Sequence, residues 1–467
     1  MAVRAGGNSL DGRRVSPMVR HALGSGRMKR IECDVATIGA GVAGLAATSR
    51  LKAAGKSVVC LEATGRVGGR ILTLHDPLSP APIELGAEFV HGRPPETWEL
   101  IRKAGLVACQ HTSCALHIDR GRILKDKEVG ELADRVLSKM AESGSRKDET
   151  FEDYLRRSRQ PADVKDWARV HVEGFNAAHQ ERISVASLKQ DAEAAEKIDG
   201  ERAFRILSGY DSIPLFLLRS IPDHESTVHL NSVVECVKWR RGSAEIHFRS
   251  SLDKQTGVVR CRQLIVTAPL GVLQATAGSR GAIRFDPEPG EALKAAATLQ
   301  FGQVYRVTFR FRNPFWEANE KLKDAGFLVS RDKGFFTWWT SHPVISPLLT
   351  GWSAGSAADQ FYNAGESRIV AQALDSLGRI LGRKAPSPEA VYFHDWQADR
   401  FFRGAYSYAP VGGLAARNSL ARPIEGTLFF AGEAAEAKGH SGTVHGAIAS
   451  GIRTANLILD SGRRSRR

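Results

Sequence analysis

Apolar residues first gather from Asp34 to Ile38, a short run with strand character, and again from Ser57 to Leu61, which ends on Glu62. Between them an Ala/Leu-rich stretch of helical spacing runs from the glycines at 39–44 to about Ala54, and Gly55 closes it. Strand, helix and strand in that order predict a βαβ unit. Residues 125–200 are charged, poor in glycine and helical in period, as the spacing of Val129, Leu132, Val136 and Leu137 indicates. Mixed-sign charge on such helices marks a solvated face, and they suit the wall of a substrate cavity. Strand-like runs follow: a pair over Val228 to Trp239, then Glu245 to Phe248, Val258 to Arg260, and Gln263 to Leu270 with its Thr267-Ala268-Pro269. Phe301 to Val307 predicts another strand, and the aromatic-rich stretch from Thr337-Trp338-Trp339 to Trp352 reads as core, since aromatics fill cores more often than they line cages. Leu428 to Phe430 is a buried strand running into Gly432-Glu433, and Gly439 to Gly446 introduces a last helix of small residues extending to about Leu459.

Composition narrows the class. The chain has 467 residues, 42% of them hydrophobic, which is too apolar for a disordered protein and long enough for two or three folded units. Its net charge of +14 sits mostly in the tails, with +6 in residues 1–30 and +4 at Arg463, Arg464, Arg466 and Arg467. Basic tails without an organised basic face give no expectation of a specific nucleic-acid partner. Residues 1–30 and 461–467 read as a disordered basic leader and tail, with Met28 as an alternative start. Arg13-Arg14 lacks the apolar stretch of a twin-arginine signal. No apolar run of about 18 residues is present, so no membrane span is expected. The six cysteines include no Cys-x-x-Cys and no metal-ligand spacing, which points to a reduced, cytoplasmic chain without a metal.

The candidate chemistry begins at Gly39-Ala40-Gly41-Val42-Ala43-Gly44. In such a unit Gly39 permits the tight turn, Gly41 lets the backbone approach a pyrophosphate, and Gly44 lets helix and strand pack closely, while free N–H groups at the helix start face the phosphates. Glu62 stands 18 residues after Gly44, where a carboxylate can accept both ribose hydroxyls. NAD and FAD both fit this much. A second glycine pair follows in Gly65-Arg66-Val67-Gly68-Gly69-Arg70, where glycines again let backbone come close and Arg70 can neutralise a phosphate; a nicotinamide site does not need it.

With that element the chain resembles the flavin-containing amine oxidase family, which includes monoamine oxidases, polyamine oxidases and lysine-specific histone demethylases, and the resemblance runs from about Asp34 to Leu459. It implies an α/β fold: a Rossmann-like, glutathione-reductase-like FAD-binding domain assembled from residues 31–98, 226–290 and 421–460, with a discontinuous α+β substrate domain from 99–225 and 291–420. Ile83 to Gly92 resembles the family segment beside the flavin ring, with His91 lining the substrate channel or serving only as a loop histidine. Val234 matches a backbone contact to adenine. Arg306 stands where the family carries a lysine near flavin N5; the other reading of it is an ordinary strand charge. Trp396 and Tyr406 resemble the flavin-flanking Trp and first cage Tyr, Ala405 replaces the cysteine of covalent attachment so that FAD is non-covalent, and Thr443 stands where monoamine oxidases put a second cage Tyr. Gly432, Glu433, Thr443 and Val444 resemble the last FAD segment, whose helix start stabilises negative charge on the reduced ring.

The resemblance implies a small-molecule amine as substrate, hydride transfer from its α-carbon to flavin N5, imine hydrolysis, and reoxidation by O2 to hydrogen peroxide. Its rivals are an L-amino-acid oxidase or a porphyrinogen or carotenoid oxidoreductase on the same fold, and a catalytically idle flavin-binding scaffold.

Overall fold

The structure, a computed structural model, describes residues 29–111, 114–119, 121–124, 135–140, 147–323 and 325–464. The leader up to residue 28, Val129, Leu132 and the residues after 464 lie outside it.

The expected βαβ unit is present. Lys29–Ile38 is the first strand, Val42–Ala53 the helix and Val58–Leu61 the second strand, which pairs parallel to the first. The helix is apolar on nearly all sides because it is buried on nearly all sides: Val42 to Thr48 and Leu51 are covered by the sheet and by the last helix, Val444–Arg464. Two expected boundaries shift. Lys29 and Arg30 pair with Gly257 and Val258, so the strand begins inside the expected leader, and the last helix continues to Arg464 rather than giving way to a tail at 461.

The unit belongs to an eight-stranded sheet with Lys29–Ile38 and Thr256–Val266 side by side at its centre. Val58–Leu61 and Val228–His229 extend it on one side in parallel. On the other side Thr256–Val266 forks. Its first half pairs antiparallel with Ser243–Ser250, which leads to Ser232–Arg240 and Arg284–Asp286, while Leu264 to Val266 pairs parallel with Leu428–Phe430. The two strands expected at 258–260 and 263–270 are therefore one, ending at Val266. Its polar middle keeps a period of two, with Cys261 buried between exposed Arg260 and Arg262, as a strand with one covered face requires.

A second sheet has seven strands, in the order Ala390–Phe393, Val304–Arg310, Leu348–Ala354, Thr337–Thr340, Ala325–Ser330, Cys114–Asp119 and Arg122–Ile123. Glu366–Leu381 packs on it through Ile369, Ala373, Leu377 and Ile380, an apolar stripe at helical spacing. The charged middle of the chain supplies helices Phe151–Arg157, Ala162–Asn176 and Val185–Glu196, which share a separate apolar cluster. Among the described residues no helix is long and apolar enough to cross a membrane.

Close packing at the first turn sets a strict demand on Gly44, where an added Cβ would lie 1.9 Å from the Gly39 carbonyl oxygen. Gly44→Val is expected to lower stability by about 3 kcal/mol through forced separation of helix and strand. Urea unfolding checks this, and wild-type stability would contradict the packing argument.

Candidate functional site

A single cavity runs from the first glycine turn to the face of the second sheet, with about 1430 Å³ of empty space including the part open to solvent. At one end it is lined by Gly39, Gly41, Glu62 and Gly69. Ser232, Val233 and Val234 border it, and Arg306, Trp352, Trp396 and Tyr406 form its other end together with Thr443 and Val444.

The first end is shaped by backbone. Gly39 sits at φ +99° with its N–H on the Leu61 carbonyl, and a Cβ there would meet Thr267 Oγ1 at 2.6 Å. Glu62 is held rigid: Oε2 accepts the Ala40 N–H at 2.7 Å, and Oε1 accepts the Thr64 N–H at 2.8 Å and its hydroxyl at 2.7 Å. Arg66 does not reach the cavity lining; its guanidinium donates to the carbonyls of Val67, Gly69 and Ile71 and so stitches the second glycine loop together. Gly44 also lies outside the lining, in the packed turn.

The middle is organised by Glu433, which is buried. Its Oε1 takes the Arg70 guanidinium at 2.9 Å, and its Oε2 takes the Ser407 N–H and hydroxyl and the Gly442 N–H. Burial pushes this carboxyl up, but the charge of Arg70 and the Ser407 hydrogen bonds outweigh that and hold it below its ordinary value. Arg70 also donates to the Ala405 carbonyl at 2.6 Å. Thr443 precedes the last helix and accepts the Gly446 N–H at 3.0 Å, which leaves the first N–H groups of that helix at the cavity wall.

Aromatic side chains dominate the far end. Trp396 donates to the Leu85 carbonyl at 2.8 Å and meets Phe402 edge to face. The Tyr406 hydroxyl donates to the Phe175 carbonyl at 2.9 Å, and burial keeps the phenol protonated by pushing its pKa up. Trp352 lines the cavity and donates to the Gly174 carbonyl, which corrects its reading as core. The reason is register: Trp352 lies directly opposite Arg306 on the neighbouring antiparallel strand, so both share one face. Trp338, from the same aromatic stretch, is core as expected.

Arg306 is 4% exposed and lines the cavity, so it is not an ordinary strand charge. Its guanidinium donates to the Gly86 carbonyl at 2.8 Å and to Glu88, and lies over the Trp339 ring at 5.3 Å. Glu88 is shared: Arg205 and the Trp339 indole N–H also bond it. Burial pushes both arginines down to about 9, still cationic at neutral pH. Sequence reasoning missed Glu88 and Arg205. An acid inside the apolar Leu85 to Val90 run was the available signal, but its partners lie far along the chain.

His91 is not part of the lining. It packs against Phe175 and Phe89, and burial pushes its imidazole down to about 4. His445, whose Nε2 is 3.3 Å from His440 Nδ1, is likewise held down at about 3 by burial and by the neighbouring histidines, so both rings are neutral at neutral pH. Among the described residues no group of three or more His, Cys, Asp or Glu is arranged to hold a metal.

These residues fit a flavin dinucleotide. The glycine turns leave a cradle that side chains would fill, and Glu62 stands at its edge with both oxygens fixed by local hydrogen bonds. Fold and cavity together define an α/β protein of the dinucleotide-binding class, with a glycine cradle at one end of the cavity and an aromatic chamber at the other. The model of the flavin containing amine oxidoreductase family matches residues 42–459, and the chain belongs to that family. Lysine-specific histone demethylase 1 homolog 3 of Arabidopsis thaliana is 29% identical over 92% of this chain and 30% of its own length. Polyamine oxidase 5 of Oryza sativa subsp. japonica is 28% identical over 90% of this chain and 86% of its own. The chain spans only 30% to 58% of the first demethylase homologues it matches. Putrescine oxidase bound to putrescine has the same fold, with a TM-score of 0.76 at 22% identity over 92% of this chain and 100% of that one. Cyclohexylamine oxidase from Brevibacterium oxydans IH-35A does too, at 0.77 and 22% over 92% and 99%.

Glu84, behind the Arg306 wall, accepts the Tyr210 N–H and the Thr73 hydroxyl, and burial pushes its carboxyl from 4.5 up to about 7. Between those values the folded protein keeps a proton that the unfolded chain has lost, so this group's contribution to stability falls as the pH rises through that window. Glu84→Gln removes the titration. Its stability relative to wild type is expected to rise from about pH 5 to about pH 8 in urea unfolding, and a constant difference would contradict it.

Proposed function

We propose that this protein is an FAD-dependent oxidase of small amines that holds its cofactor without a covalent bond. The observation carrying the reading is the single cavity that joins a glycine cradle and Glu62 to an aromatic chamber walled by Arg306, Trp352, Trp396 and Tyr406. When bound, FAD supplies the two-electron acceptor by which an amine becomes an imine, hydrolysed by water, and O2 becomes hydrogen peroxide.

In this reading Gly39, Gly41 and the helix start at Val42 receive the pyrophosphate, Glu62 the ribose hydroxyls, and the backbone at Val234 the adenine. Gly69 lets the second loop approach, and Arg70 with Glu433 fixes the middle of the site. Gly432 and the N–H groups beside Thr443 and Val444 face the ring edge where negative charge develops. The Tyr406 ring, fixed through its hydroxyl, presents a π face to the substrate nitrogen, and Trp396 flanks the flavin. His91, behind the lining and kept neutral by burial, adds no like charge against an incoming ammonium. Thr443 narrows the chamber less than an aromatic ring would.

Ala405 lines the cavity beside Tyr406 and offers no sulfur for a thioether. Acid precipitation of the yellow protein is therefore expected to leave all flavin in the supernatant as FAD; flavin remaining with the pellet would contradict non-covalent binding. Tyr406→Ala is expected to slow anaerobic flavin reduction by the substrate amine roughly 10-fold or more, from the loss of one cation–π wall. An unchanged stopped-flow rate would remove Tyr406 from the chamber's chemistry.

A further inference from the structure

The charges behind the aromatic chamber do not balance. Arg205 and Arg306 converge on the single carboxylate of Glu88. The next carboxyl, Glu84, is already half protonated near neutral pH because burial pushes it up to about 7. The carboxylates that line the cavity are engaged elsewhere: Glu62 by Ala40 and Thr64, Glu433 by Arg70, Ser407 and Gly442. His91 and His445 contribute no charge at neutral pH. The chamber end of the cavity thus carries positive charge in excess and no free carboxylate among its described lining residues.

The donors do not balance either. Arg306 spends its terminal nitrogens on Gly86 and Glu88, yet its Nε–H is buried with no partner among the described residues, and the side chain lines the cavity beside Trp352, on the same face of the sheet. A buried cationic N–H without an acceptor is costly, and a carboxylate is the acceptor that satisfies both its hydrogen bond and its charge. A diamine or polyamine, in contrast, would bring a second ammonium toward a guanidinium.

We propose that the amine oxidised here carries a carboxylate, bound in the chamber by the Nε–H of Arg306, and that this charge arrangement selects against diamines and polyamines. The proposal rests on the amine-oxidising reading above and gives its substrate class: amino acids and related amino carboxylates. Glu88 and Arg205 are positioning residues that hold the Arg306 guanidinium in its plane. Because Glu88 has two arginine partners, Arg306→Met leaves it paired with Arg205, and the variant is expected to fold and retain flavin.

The test uses matched amines on the flavin-loaded protein. L-Phenylalanine and phenethylamine differ only in the carboxylate, and putrescine and spermidine represent the polycations. Anaerobic reduction of the flavin is expected to be about 10-fold or more faster, at equal low concentration, with the amino acid than with its decarboxylated partner, and Arg306→Met is expected to abolish the difference. Benzoate, which is not oxidised, should perturb the flavin spectrum of wild type with a Kd about 10-fold tighter than that of the variant. Equal or faster reduction by phenethylamine or the polyamines overturns the proposal and leaves the amine oxidase standing. A variant with altered flavin retention but unchanged benzoate affinity also overturns it, since the guanidinium then serves the cofactor. If no amine reduces the flavin, the amine-oxidising reading falls; benzoate binding lost in Arg306→Met would still support the anion subsite, and absent or unaltered binding would end both.

Discussion

One buried carboxylate holds the functional centre together. Glu433 follows the strand Leu428–Phe430 and gathers Arg70, Ser407 and Gly442, so the second glycine loop, the aromatic segment and the last helix meet at its two oxygens. A fully buried charge is tolerated only when it is paired and hydrogen-bonded on each side, and here every partner comes from a different part of the chain. The discontinuous assembly around the cavity follows from that requirement. Arg70 can be fixed beside the glycine cradle because Glu433 neutralises it, and the helix start at Val444 is aimed at the cavity because Gly442 is tied to the same carboxylate.

A second buried cluster stands behind the chamber wall. Glu88 leaves the Ile83 to Gly92 segment to meet Arg306 on one sheet and Arg205 on the strand Ala203–Ile206. It ties the chamber wall to that strand, and it holds the guanidinium against the Trp339 ring. A lysine at Arg306 could not make the same planar contacts, because its ammonium is a single flexible point charge. Arginine at this position and glutamate at 88 are therefore read best as one feature.

Much of this was legible in the sequence wherever the signal was local. The glycine turn, its helix and Glu62 lie within about thirty residues and obey spacing rules set by backbone sterics, and they fold as expected. Arg306, Trp396 and Tyr406 were legible through the family resemblance and do reach one cavity. Less was legible where meaning depends on pairing. Trp352 looked like core because only strand register puts it opposite Arg306. Glu88 went unremarked because its partners lie 117 and 218 residues away. The polar residues Arg260, Arg262 and Gln263 seemed to divide two strands, although all three lie within one, with Arg260 and Arg262 at its exposed positions. Arg66 carries the composition of a phosphate ligand but is used up by its own loop.

Which molecule fills the cavity decides the rest. A crystal structure of the protein as purified, with whatever it retains, tests this most directly. FAD is expected there, its pyrophosphate against the N–H groups at Gly41 and Val42, its ring between Tyr406 and the Arg306 wall, and no bond to Ala405. A cavity that holds no flavin when FAD is supplied, or a ring that lies away from Tyr406 and Arg306, would contradict it.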